Sequence, residues 1–239
     1  NYFKNADLPV VAFYHDDPPA ADIVPPADGW NCVIAHLQRI RKGTNLAFDI
    51  AALGCGGAQK YCGFSDYRPG IEQFLSSGVP GQMEGERYKK SPETVRALFT
   101  RMDEFEASAQ YIVFKRWDMM EDDDRPEVVI FMDTPDVLSG VFTLAGYEEE
   151  EVQAVIAPFA SGCAAVVMFP FQQCRSEHPK AVLGMFDVSA RPFVPENTLS
   201  LAIPYSKFTR MVADMDESFL RTESWEKVQK RIAAARQTT

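Results

Sequence analysis

Five cysteines, Cys32, Cys55, Cys62, Cys163 and Cys174, are the side chains of this chain best suited to bind a soft metal or attack an electrophile. Cys55 stands among glycines in Gly54-Cys55-Gly56-Gly57. Such neighbours let backbone N–H groups approach the sulfur and stabilise a thiolate or a bound cluster. The same glycines also suit a plain tight turn around a small buried cysteine. No C-x-x-C occurs, so a zinc ribbon, a thioredoxin-like pair and a ferredoxin-type run all lack a local signature. A metal site would have to be assembled by the fold from distant segments.

A nucleophilic cysteine needs a base, and the chain offers only His15, His36 and His178. His36 follows Cys32 by four residues, a spacing that lets the two share a helix face; an exposed histidine on an amphipathic helix is the competing reading. His178 precedes a proline in a polar loop. Arg191, in Asp187-Val188-Ser189-Ala190-Arg191, follows an apolar strand and carries a planar fork suited to a carboxylate or phosphate. A salt bridge to Asp187 or another acid competes equally. Arg87, Tyr88 and the Gly54 to Gly57 turn would complete an anion site. Neither G-x-G-x-x-G, the P-loop pattern nor G-x-S-x-G is present.

The elements that must position these residues follow from apolar spacing and from caps. Leu8 to Tyr14 reads as a strand, followed by a connection containing Pro18, Pro19, Pro25 and Pro26 that must be extended or turned. Val33, Ile34, Leu37 and Ile40 recur at helical spacing, with Arg39, Arg41 and Lys42 before Gly43. Cys32 falls in the first turn of that helix. Leu46 to Ile50 is extended, and the glycines around Cys55 mark a junction before a possible helix start. Ile71 to Leu75 is a short helix closed by Gly78, and Ser91-Pro92-Glu93 starts another. Tyr111 to Trp117 and Val128 to Met132 are expected as neighbouring strands, the second central. Thr134-Pro135-Asp136 starts a helix reaching about Tyr147, Val152 to Ile156 is a short strand, and Gly162 to Phe169 is a helix ended by Pro170. Strands at Ala181 to Phe186 and Leu199 to Pro204 precede helices at Tyr205 to Met215 and Ser224 to Arg236.

Composition bounds the rest. A chain of 239 residues that is 46% apolar can bury roughly 70% of its unfolded surface, so a substantial core is expected. No internal repeat or composition break divides it, and one α+β domain over 1–239, with a mixed sheet packed by amphipathic helices, is the expected architecture. The net charge of −10 opposes binding to nucleic acid and to anionic membranes. No apolar run reaches the roughly 20 residues of a membrane helix. Asn1 to Asp7 carries no leader pattern, and an odd number of cysteines argues against a disulfide framework; both suggest a cytoplasmic protein. The acidic runs Glu121 to Asp124 and Glu148 to Glu151 lack calcium-loop spacing and read as solvated loops.

The ordered segments Gly54-Cys55-Gly56-Gly57, Ile71 to Gly78, Glu86-Arg87-Tyr88, Pro126 to Phe131, Ala160-Ser161-Gly162-Cys163, Asp187 to Pro192 and Ile203-Pro204-Tyr205 resemble those of domain of unknown function 169, a bacterial and archaeal family. The resemblance runs from about 10 to about 231. It implies one domain and a cytoplasmic location, and it matches Cys32, Cys55 and Cys163 to the family's cysteines, whereas Cys62 and Cys174 depart from its pattern. Three thiolates from three segments would suit an iron–sulfur cluster or a soft metal with an open position, with Cys62 or Cys174 as an optional fourth ligand. A redox partner would then be needed. The alternative is a protein that binds or transforms a small anionic molecule through Arg191, and a third reading is a cysteine nucleophile at Cys55.

Overall fold

A computed structural model describes residues 3, 6–18 and 20–237; Asn1 and Pro19 lie outside the described residues. β1 (Val10–His15) has apolar side chains at consecutive positions, as a strand covered on both faces requires. It is hydrogen-bonded antiparallel to two other strands, pairing Val10 with Arg116 on one side and with Ile130 on the other. Among the described residues eight strands form one mixed sheet, in the order β2-β3-β4-β1-β5-β8-β7-β6. They are β1, β2 (Asp22–Ile23), β3 (Leu46–Phe48), β4 (Tyr111–Arg116), β5 (Val128–Asp133), β6 (Val155–Ile156), β7 (Ala181–Gly184) and β8 (Leu199–Pro204). Two parallel pairs, β2 with β3 and β6 with β7, close the edges, and the remaining pairs are antiparallel.

β5 is central, as expected, but β4 and β5 are not neighbours. β1 runs between them. Their proximity in sequence suggested a pair of neighbours, whereas β1, buried from Val10 to Phe13, has two edges to satisfy and takes one partner on each side.

The helices are α1 (Val33–Ile40), α2 (Gly56–Tyr61), α3 (Ile71–Phe74), α4 (Pro92–Phe99), α5 (Pro135–Ala145), α6 (Phe169–Gln173), α7 (Tyr205–Asp214) and α8 (Glu223–Arg236). Alternation along β1 divides the core. Val10 and Ala12 face Ile34, Leu37 and Val166 on one side of the sheet. Val11 and Phe13 face the opposite side with Val113 and Val129. On that opposite side, farther along the sheet, Leu201 and Ile203 pack against Leu138 and Leu144 of α5 and Met211 of α7. The α4 cap forms as the sequence dictates: the Ser91 hydroxyl accepts from the Thr94 amide, and Pro92 fills the first turn.

Two expectations fail for local reasons. Pro170 does not end its helix. A π-helical turn, Ala164–Met168, precedes α6, and the wider turn absorbs the missing proline donor and its ring. The acidic run at 121–124 is not all solvated either. Asp124 is 1% exposed and accepts from the fully buried Lys115 ammonium at 2.9 Å through each carboxylate oxygen. Similarly, Glu149 pairs with the buried Lys207. Among the described residues no helix is long and apolar enough to cross a membrane.

Candidate functional site

Cys32, Cys55 and Cys163 each stand at the start of a helical segment. Cys32 is the N-cap of α1, with extended backbone, and Cys55 is the N-cap of α2. Cys163 immediately precedes the π-helical turn. Glycines allow the three starts to approach. A Cβ on Gly54 would lie 2.1 Å from the Gly29 carbonyl oxygen and 2.8 Å from the Asn31 nitrogen, so only glycine lets the approach to α2 nest against the segment entering α1. A Cβ on Gly162 would lie 3.1 Å from Ile34 Cγ1 and 3.2 Å from Ala190 Cβ, in the first turn of α1 and the loop after β7. The Asn31 side chain adds a bond to the Ala52 carbonyl at 2.9 Å, and Gln59 closes the turn onto the Leu53 carbonyl at 2.7 Å.

The segments that carry the expected cysteines therefore meet, and Cys62, Cys32 and Cys55 are electrostatic neighbours of Cys163. Burial raises the Cys163 thiol well above its ordinary value, and the nearby Cys62, Cys32, Cys55 and Asp187 raise it further. Burial likewise raises Cys32; the backbone amides of Ala35 and Ile34 oppose this, and Cys55 and Asp187 add to it. Cys62, fully buried behind α2, is pushed up to about 12 by burial and then by Cys55. Each of these shifts favours the neutral thiol. A cation placed among the sulfurs would reverse them by offsetting both the burial and the mutual repulsion.

Of the two optional ligands, the fold brings in Cys62 and leaves out Cys174. The Cys174 thiol donates to the carbonyls of Glu127 and Pro170 and lines a small cavity with Tyr14, Glu127 and Arg175. Burial and then Glu127 push it to about 12. Tyr14 separates this cavity from Cys62, donating its hydroxyl to the Cys62 carbonyl at 2.7 Å.

The glycines following Cys55 have different roles. A Cβ on Gly57 would sit at an ordinary 3.7 Å from the Cys55 sulfur, whereas one on Gly56 would be 2.6 Å from Arg68 Nε. Gly56 thus admits the Arg68 guanidinium against the first turn of α2. His36 does not turn to Cys32: its ring packs edge-on to Phe48 and Nε2 bonds the Asn31 side-chain oxygen at 2.8 Å. Among the described residues Arg191 forms no ion pair with Asp187 or another acid. Its fork donates to the carbonyls of Met185, Thr198, Pro195 and Glu196, clamping the loop before β8.

Asp187 is the site residue that spacing alone did not single out. One carboxylate oxygen accepts from the Gly162 amide at 2.9 Å, holding the segment that carries Cys163, and the other accepts from the Ser189 amide and hydroxyl. Its contact lies 25 residues away, so no local pattern announces it. Tyr61 and Tyr67, packed edge to face at 6.0 Å, complete the wall; burial raises both phenols well into the neutral form. Among the described residues, no three His, Cys, Asp or Glu side chains are gathered tightly enough to hold a single metal ion.

No curated protein and no solved structure matches the chain. The family model for DUF169, described as uncharacterised ArCR, matches residues 3–214, which leaves only the turn before α8 and α8 itself beyond the match. The chain belongs to the DUF169 family.

Proposed function

We propose that Cys32, Cys55 and Cys163 hold an iron–sulfur cluster, with Cys62 as the candidate fourth ligand, in a protein of the reducing cytoplasm. The observation that carries this reading is that cysteines from three separate stretches of chain, Cys32, the two ends of α2 at Cys55 and Cys62, and Cys163, lie near enough to act on one another, while no lysine or arginine is among the causes that shift Cys32, Cys62 and Cys163. Donors for a single ion lie within about 2.3 Å of it, which crowds them together. Irons and sulfides interposed between thiolates space a cluster's ligands more widely than those of a single ion, and the reading is of a cluster for that reason. The Ile34 and Ala35 amides at the start of α1 favour the Cys32 thiolate, and amides near a cluster's sulfurs raise its potential. When bound, the cluster would supply one-electron transfer or, at an iron left without a cysteine, a Lewis-acid position.

The test is iron and acid-labile sulfide analysis with an absorption spectrum on protein purified without oxygen. Stoichiometric iron and sulfide and a broad band near roughly 400 nm are expected. Both should disappear in Cys55→Ala and Cys163→Ala and persist in Cys174→Ala, whose sulfur bonds elsewhere. Protein that stays colourless and metal-free after anaerobic reconstitution sinks the reading.

A further inference from the structure

The surface around the thiol region is unusually apolar. Trp30, two residues before Cys32, is 62% exposed and packs on Phe193 at 5.3 Å. Phe186 and Val188 flank Asp187 and are 60% and 63% exposed, and Phe159, ahead of Gly162, is 53% exposed. Single exposed apolar residues are ordinary, but several on segments that meet at one site are characteristic of a contact surface.

The charge beside this surface is opposite in sign to that of the whole protein. Tyr88 is near enough to Asp187 for that carboxylate to raise its phenol, after burial and Glu86. The segment carrying it, Arg87-Tyr88-Lys89-Lys90, therefore borders the site, and Lys89 lies over the Phe159 ring at 3.7 Å. Among the described residues no carboxylate forms an ion pair with Arg87, Lys89 or Lys90. On a chain of net charge −10, three cations within four residues, set against the neighbouring Glu86, leave this segment locally positive. Within a Debye length of about 8 Å this local charge, not the net charge, sets what docks.

We infer that the face formed by Trp30, Phe159, Phe186 and Val188 docks a small acidic electron-carrying protein, steered by Arg87, Lys89 and Lys90. The apolar centre supplies contact area and the cations supply orientation and encounter rate, the division of labour expected of transient redox encounters. The identity of the partner as an electron carrier rests on the cluster reading. The docking surface itself does not.

Binding is therefore measured rather than electron transfer, by calorimetric titration of the full chain with a purified acidic ferredoxin and, separately, with basic cytochrome c. The expected result is ferredoxin binding with a Kd of order 10 μM at low salt, weakened about tenfold or more by ~0.3 M salt. Lys89→Glu with Lys90→Glu should weaken it about tenfold, and Phe186→Ser with Val188→Ser should do likewise, the latter with the melting temperature unchanged because both side chains are exposed. Absence of ferredoxin binding, equal binding of cytochrome c, or affinity indifferent to both double variants overturns the proposal. So does sedimentation showing that the chain dimerises through this face and loses the dimer in Phe186→Ser with Val188→Ser. Repeating the titration with Cys55→Ala separates the two readings: binding retained without iron leaves the surface standing whether or not a cluster exists.

Discussion

On one face of the sheet Lys115 and Asp124 are buried together; on the other, Cys62 and Cys163 are buried among further thiols, the phenols of Tyr14 and Tyr61 and a carboxylate. The first pair is complete. Lys115 reaches both oxygens of Asp124 at 2.9 Å, Glu121 approaches at 3.7 Å, and the Glu121 amide donates to Asp124 at 2.8 Å. It joins β4 to the loop that follows, and nothing about it calls for a ligand. The second group has no such pairing among the causes that shift it: Cys62, Cys32, Cys55 and Asp187 each raise Cys163. A satisfied buried charge is architecture, whereas like-ionising groups gathered together hold one another in the neutral form.

The largest effect should come from breaking the complete pair. Lys115→Met strands the Asp124 carboxylate in the core, and urea unfolding should show a loss of about 3–5 kcal/mol. Adding Asp124→Leu removes the stranded charge, and the double variant should recover to within about 1–2 kcal/mol of the parent. A benign Lys115→Met would erase the distinction between the two faces.

The thiol side should respond to pH instead. The folded Cys62 value, about 12, lies above the ordinary thiol value of 9.0 because of burial first and Cys55 second. Since the folded state prefers the protonated form, this contribution is fully present below pH 9.0 and is lost as pH rises towards about 12. Unfolding of metal-free protein should therefore weaken by about 1.4 kcal/mol per pH unit from this group across that window. Cys62→Ala should flatten this limb by one proton while adding a pH-independent cavity cost. Identical slopes in denaturant titrations at several alkaline pH values would show that Cys62 is not held as a buried thiol.

Much of the frame was legible because it is local. α1, α4 and the strand β8 follow from apolar spacing and cap residues within a dozen positions; residue type marked five cysteines, and only the family resemblance singled out Cys32, Cys55 and Cys163. What escaped was non-local. The insertion of β1 between β4 and β5 depends on pairing more than 95 residues apart in sequence, as in Val10 with Arg116. Asp124 read as solvent-exposed because a run of acids suggests water, although alternation along β4 put Lys115 opposite Val11 in the core. Arg191 and Asp187 looked like partners, yet the turn through 187–191 sent the guanidinium to carbonyls and the carboxylate to Gly162.

Asp187 lies between the two kinds of burial, holding structure with its hydrogen bonds and burdening the thiols with its charge, so Asp187→Asn should separate them with the smallest effects. The amide keeps an oxygen for one of its two sets of donors and loses the charge. The stability cost should be about 1 kcal/mol by urea unfolding. The thiols should respond in the opposite sense. Asp187 is among the groups that raise Cys32, after burial and Cys55, so its neutralisation lowers that thiol towards its ordinary value and increases the thiolate fraction at pH 8. Iodoacetamide should then alkylate half-exposed Cys32 roughly twofold faster in metal-free Asp187→Asn, a gain limited because a less basic thiolate is also a weaker nucleophile. A variant less stable and slower to alkylate would mean that Asp187 acts on Cys32 through the position of the Gly162 segment and not through its charge.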